Sequence, residues 1–151
     1  MPQAPFLPAL RELVEAYQAF EAYSGAHIRT LDLTPPQFDI IATLGNTPGM
    51  PLNELGAKTL ITKGTLTGVV DRLSDKQLVR RTASPSDGRS QIVQLTPQGE
   101  AMFERIFPAH MTHMERAFAG FSPDDLASME AILHRLREGF MTARATMEKA
   151  E

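Results

Sequence analysis

Residues 62–99 read TKGTLTGVVDRLSDKQLVRRTASPSDGRSQIVQLTPQG, and three kinds of local structure follow one another along them. Leu66, Val69, Val70 and Leu73 fall at i, i+3, i+4 and i+7, which makes one apolar face of a helix that Thr62 can cap; Lys63, Thr65, Thr67, Gly68 and Arg72 lie mainly off that face. Leu78 to Ala83 and Gln91 to Leu95 are short, partly β-branched runs, and the Pro, Asp and Gly of Ser84-Pro85-Ser86-Asp87-Gly88-Arg89-Ser90 favour a tight reversal between them. Thr96-Pro97 then opens a further helix as cap and first-turn proline. A helix, a hairpin and a helix start are therefore expected in that order.

Toward the N-terminus, Thr34-Pro35-Pro36-Gln37 repeats the cap-then-proline device, with Gln37 placed to complete a capping box and Phe38, Ile41 and Leu44 on the buried face. Gly45, Pro48, Gly49 and Pro51 end that helix, and a short third one follows with Leu52, Leu55 and Leu60 inward. Before them, Leu10, Leu13, Val14, Tyr17 and Phe20 give a first helix an apolar face, extending past Gly25 to Ile28 or Leu31. Toward the C-terminus, Met102, Phe103, Ile106, Phe107, Met111, Met114 and Phe118 sustain the fifth helix, which Pro108 is expected to kink or locally break. Ser122-Pro123-Asp124-Asp125 starts the last, whose line runs Leu126, Met129, Ile132, Leu133, Leu136, Phe140 before fraying into a charged tail. The expected fold class is mainly α with a small β-hairpin wing.

At 151 residues and 42% hydrophobic content the chain can bury one core without disulfides or a structural metal, so a single domain, 1–151, is expected. The absence of cysteine excludes disulfides, thiol redox sensing and Cys-containing zinc sites. Met1 to Leu10 carries no basic start followed by an apolar run, and no apolar run approaches the roughly 20 residues of a membrane helix; a soluble, cytoplasmic protein without a membrane partner is expected. The net charge of -3 speaks against a nucleic-acid partner until its distribution is read. Residues 1–50 and 96–151 are each acidic, whereas residues 51–95 hold Lys58, Lys63, Arg72, Lys76, Arg80, Arg81 and Arg89 against Glu54, Asp71, Asp75 and Asp87. A basic centre between acidic flanks suits a middle that meets phosphates, although an ordinary surface can also be so charged. No nucleophile with its base, paired carboxylates or phosphate-cradling glycine loop is present, so an enzyme is not expected.

Asp87-Gly88-Arg89-Ser90-Gln91-Ile92-Val93-Gln94-Leu95-Thr96-Pro97-Gln98-Gly99 resembles the wing pattern D-x-R-S-x-x-V-x-L-T-x-x-G of the multiple-antibiotic-resistance regulator (MarR) family. Leu33-Thr34-Pro35-Pro36-Gln37-Phe38 is similar to that family's second-helix start, and Thr67-Gly68-Val69-Val70-Asp71-Arg72-Leu73 to its recognition helix, so the likeness spans nearly the whole chain. Two positions depart from the pattern: Gln77 stands where Gly is common, and Arg80 near where an acidic residue is frequent. If the residue after the recognition helix is left-handed, Gln77 costs roughly 1 kcal/mol that Gly would avoid.

The resemblance implies a winged helix-turn-helix at 34–95, with 1–31 and 96–151 as helical dimerisation regions of a homodimer. The fourth helix would enter the major groove of double-stranded DNA with Thr62, Lys63, Thr65, Thr67 and Arg72, the bland alternative being a solvated helix face. Arg89, oriented by Asp87, would enter the minor groove, while Lys76, Arg80 and Arg81 reach phosphates or remain ordinary solvated charges. Two reading heads about one turn, roughly 34 Å, apart demand a pseudo-palindromic operator. The family commonly represses until a small aromatic or phenolic effector releases it. Its pocket would here involve Tyr17, Phe20, Tyr23, His27, Phe38 and Met111, against the plain reading of aromatic and Met residues as core. His110 and His113, three apart, could share a metal with Glu104 or Glu115, or be two ordinary surface histidines; without a cysteine or a fixed third ligand, no metal and no cofactor are expected. The competing readings are a winged-helix protein-contact module and a small-molecule or metal sensor without specific DNA binding.

Overall fold

The computed structural model describes residues 4–86, 88 and 90–150. The chain divides into two compact units, Met1–Met114 and Glu115–Glu151. The first holds α1 (Leu7–Thr30), α2 (Pro35–Leu44), β1 (Met50–Pro51), α3 (Leu52–Lys58), α4 (Lys63–Asp75), β2 (Val79–Ala83), β3 (Gln91–Leu95) and nearly all of α5 (Pro97–Glu115). The second holds a 3₁₀ turn, Arg116–Phe118, and α6 (Pro123–Ala150). No helix among the described residues is long and apolar enough to cross a membrane.

The core of the first unit is built by Ile40, Ile41 and Leu44 of α2, Leu55 of α3, Val70 and Leu73 of α4, Val79 and Val93 of the sheet, and Ile106 of α5, all essentially inaccessible. Two of its helices, α2 and α5, start at side-chain caps. Thr34 Oγ1 accepts from the Gln37 amide (3.3 Å) while Gln37 Oε1 accepts from the Thr34 amide (3.1 Å), completing the expected capping box. Thr96 Oγ1 accepts from the Gly99 amide (3.0 Å) at the start of α5. In the second unit Ser122 and Asp125 exchange reciprocal bonds of 3.0 and 2.9 Å ahead of α6. Thr62 differs: it takes the cap position of α4, but its hydroxyl donates to the Thr65 hydroxyl (3.0 Å), and no side chain caps that helix.

The hairpin pairs antiparallel from Val79↔Leu95 to Ala83↔Gln91. A third strand, β1, joins its other edge through Met50↔Val93, giving the order β1-β3-β2, which the residue pattern did not foretell because two residues carry no period. Gly49 makes that junction feasible: its φ is +96°, and a Cβ there would come within 2.7 Å of the Val93 carbonyl oxygen.

Several expectations are corrected. Leu60 is 82% exposed rather than inward, because the chain leaves α3 extended at buried Thr59 and the next side chain turns out. α5 passes through Pro108 without a break. α6 continues to Ala150 instead of fraying after Phe140, with Arg144 and Glu148 paired one turn apart at 3.0 Å. On α1 the apolar face is present but unburied: only Ser24, Gly25 and Ile28 are buried, and Val14, Tyr17 and Phe20 are each nearly half exposed. α6 has no buried residue at all, Ile132, Phe140 and Met147 being more than half exposed.

Candidate nucleic-acid interface

α4 divides cleanly. Leu66, Val69, Val70 and Leu73 enter the core, while Thr62, Lys63, Thr65, Thr67 and Arg72 are all exposed, as a helix that reads DNA requires. No side chain caps α4, and its first residue is the exposed Lys63, an arrangement that suits a phosphate.

α4 ends in a Schellman turn, in which the Leu78 amide donates to the Leu73 carbonyl (3.0 Å) and the Gln77 amide to the Ser74 carbonyl (2.9 Å). Gln77 takes φ +63° to close it. The turn delivers the chain into β2, where Leu78 also accepts from the Thr96 amide (3.0 Å) and the Gln77 carbonyl from the Thr96 hydroxyl (2.6 Å). Gly99 belongs to the same joint, since a Cβ on it would strike the Leu78 carbonyl. α4, the hairpin and the start of α5 are thereby locked at one point.

The two arginines of β2 have different surroundings. Arg81 donates to Asp71 Oδ1 (2.7 Å) and more weakly to the Thr67 carbonyl (3.5 Å), so it ties the wing to α4. Arg80 is exposed and lies across the ladder from Gln94. With the Gln94 amide turned so that its oxygen faces Arg80, it accepts from Nη2 (3.0 Å) and gives its nitrogen to the Pro48 carbonyl (3.3 Å). Asp71 and Gln94 were missed in sequence. Asp71 stands in the helix motif and could have been read as a partner for a wing arginine, whereas Gln94 requires the strand register. Lys76 is exposed at the end of α4. Asp87 and Arg89 lie outside the described residues.

The six effector candidates have different surroundings. Tyr17 and Phe20 pack on each other, ring centroids 6.1 Å apart, on the exposed face of α1, and Glu21 engages the Tyr17 hydroxyl and holds its pKa above the ordinary phenol value. Met111 is 38% exposed. Tyr23, His27 and Phe38 instead join His110 and His113 in a column of rings. Tyr23 stacks on His113 (3.9 Å), His113 on His27 (4.5 Å) and His27 on His110 (5.1 Å), and Phe38 tilts against His110 (4.5 Å). Burial, with the nearby His27 and His113, pushes the His110 pKa below its ordinary 6.5. Among the described residues no group of three or more His, Asp and Glu is placed to hold a metal. The roles of His110 and His113 in the column were missed, because the partner rings come from other helices more than seventy positions away.

Comparison with known proteins agrees with this geometry. The family model described as MarR family matches residues 33–91. The chain is similar to the HTH-type transcriptional regulator MhqR of Bacillus subtilis (strain 168), with 31% identity over 124 residues, covering 82% of this chain and 86% of that one. It is also similar to the solved structure of Sco3205, a MarR family transcriptional regulator from Streptomyces coelicolor in complex with DNA. There the TM-score is 0.80 at 26% identity, over 88% of this chain and 86% of the other. A third likeness is to Bordetella bronchiseptica BpsR, whose DNA binding is regulated by 6-hydroxynicotinic acid, with TM-score 0.79 and 26% identity over 91% and 98% of the two chains.

Proposed function

Because the chain belongs to the MarR family of transcription regulators, and is not an enzyme, we propose that it represses transcription in the cytoplasm by binding a pseudo-palindromic operator as a homodimer. The observation that carries the reading is the divided α4: its apolar face is sunk in the core, and Lys63, Thr65, Thr67 and Arg72 are exposed beside a wing that Arg81 anchors to it. In this reading 34–95 is the reading head. Thr62, Lys63, Thr65, Thr67 and Arg72 meet bases and phosphates in the major groove, Arg80 and Lys76 meet flanking phosphates, and Arg89, oriented by Asp87, enters the minor groove. Arg81 acts by positioning the wing.

The homodimer is supported by apolar faces that one chain leaves in water, Leu10, Val14, Tyr17 and Phe20 on α1 and Leu126, Ile132, Leu133, Leu136 and Phe140 on α6. Segments 1–31 and 96–151 would supply the interface. A small aromatic acid or phenol is the effector class, since BpsR responds to 6-hydroxynicotinic acid. Of the candidate residues, Tyr23, His27 and Phe38 are the ones that meet the His110–His113 ring column.

The test is selection from a pool of random duplexes across a salt series. An enriched palindrome with half-sites about one turn apart supports the reading. Weak, unselective binding that vanishes with salt defeats it in favour of a protein-contact or sensor role.

A further inference from the structure

Three of the four histidines of this chain meet in the ring column between α1 and α5, and the bonds between them count protons. His27 Nδ1 and His110 Nδ1 are 2.9 Å apart. A hydrogen bond between two such nitrogens holds a single proton, one ring donating and the other accepting. His110 Nε2 lies 3.2 Å from Ser24 Oγ, a hydroxyl that can donate or accept and so suits either tautomer. His113 Nε2 faces the Tyr23 carbonyl at 3.1 Å, which only accepts, so that nitrogen carries the hydrogen. The Tyr23 hydroxyl donates back to the His113 carbonyl at 2.7 Å. One cation can be shared between His27 and His110. When both rings are charged, two N–H groups point at each other across 2.9 Å and the bond is lost.

The groups acting on His110 come from every element around it. α1 brings Tyr23 and His27, α5 brings His113, and α2 brings the untitratable Phe38 ring. Arg29 folds back along α1 over Gly25. The charges that bear on His110 are those of His27 and His113, and both oppose its protonation, as does its burial at 4% exposure. Phe38 is itself 8% exposed and belongs to α2, the helix packed against α4. A disturbance at His110 therefore has one packed ring between it and the helix that supports the reading head.

We propose that the Tyr23–His113–His27–His110 column is a proton sensor, in which acidification breaks the α1–α5 clamp and lowers DNA affinity through Phe38 and α2. This rests on the operator-binding reading for its output, though not for the switch itself. The direction opposes simple electrostatics, since added positive charge would otherwise favour phosphates.

The experiment has two readouts on the intact chain. Histidine ring resonances are followed by NMR from about pH 7.5 to about pH 5, together with the urea midpoint; operator affinity at constant ionic strength is measured over the same range. His110 is expected to titrate below the ordinary histidine range, with the urea midpoint falling as it does. Affinity is expected to drop by about tenfold, the equivalent of one pKa unit of coupling. His110→Asn, which keeps a polar group near Nδ1 but cannot charge, is expected to hold affinity level within about twofold. His134→Asn, outside the column, retains the wild-type loss. A His110 that titrates at or above the ordinary range overturns the proposal, as does a wild-type affinity that is level or rises on acidification, or a His110→Asn protein with undiminished pH dependence. If His110→Asn does not fold, the wild-type ring titration and the sign of its affinity change decide the matter. Failure to bind any operator near neutral pH would instead defeat the operator reading, and the ring titration and urea midpoint then judge the switch alone.

Discussion

Replacing Gln77 by Gly is expected to stabilise the chain by about 0.5–1 kcal/mol, from two opposing contributions that the Schellman turn makes countable. Gln77 sits at φ +63°, where a Cβ crowds the following carbonyl and costs roughly 1–2 kcal/mol that glycine does not incur. Against this, glycine widens the unfolded ensemble and gives back about 0.4–1 kcal/mol. Nothing else is lost: the Gln77 side chain is exposed, and its backbone bonds to Ser74 and Thr96 survive the change. The assay is urea unfolding followed by far-UV circular dichroism at fixed protomer concentration, since the stability of the proposed homodimer depends on it. The midpoint should rise at unchanged slope, and Gln77→Ala should stay within about 0.5 kcal/mol of wild type because it keeps the Cβ. A glycine variant that unfolds at equal or lower urea, or an alanine variant that gains as much, refutes the strain argument.

Lys63→Ala should reduce the slope of log affinity against log salt by about 0.9, the signature of one lost phosphate contact, and an unchanged slope would remove Lys63 from the interface. Arg81→Met should cost only about 0.5–1 kcal/mol of stability, because Asp71 is half exposed and solvent screens the pair; operator affinity should fall more than stability, and a double-mutant cycle with Asp71→Asn should show coupling in binding. Ile132→Glu should raise the dissociation constant of the proposed homodimer about 100-fold without unfolding the chain, as sedimentation equilibrium would read, since a charge replaces an apolar group on the exposed face of α6. For His110 the sign follows from its depressed folded-state pKa. The unfolded chain takes up the proton first, so stability is full above about pH 6.5 and is lost progressively as pH falls below it, and a urea midpoint level from about pH 7.5 to 5.5 would contradict this.

Where a single helix or hairpin carried its own signal, the residues were sufficient. Thr34, Thr96 and Ser122 mark helix starts because their oxygens serve amides three positions on, a relation of neighbours. The core face of α4 follows from its period, and the hairpin from β-branched runs about a Pro-Asp-Gly turn. Leu60 failed for the complementary reason: its direction depends on how the chain leaves α3, which an apolar residue at helical spacing does not reveal. Pro108 does not break α5, because packing of Phe103, Ile106 and His110 holds the helix together around one missing hydrogen bond.

The candidate site divides along the same line. The amino-acid order by itself determined the order of the six helices and the hairpin, the exposed set on α4 and the concentration of basic charge at residues 51–95, since each depends on spacing within one segment or on charge counted along it. Only the tertiary structure decided that Arg81 belongs to Asp71 while Arg80 faces Gln94, that β1 closes the sheet, and that three histidines share one column. Each of these pairs groups from different elements, separated by anything from ten to almost ninety positions, and spacing within a helix or strand carries no information about which distant face it will meet.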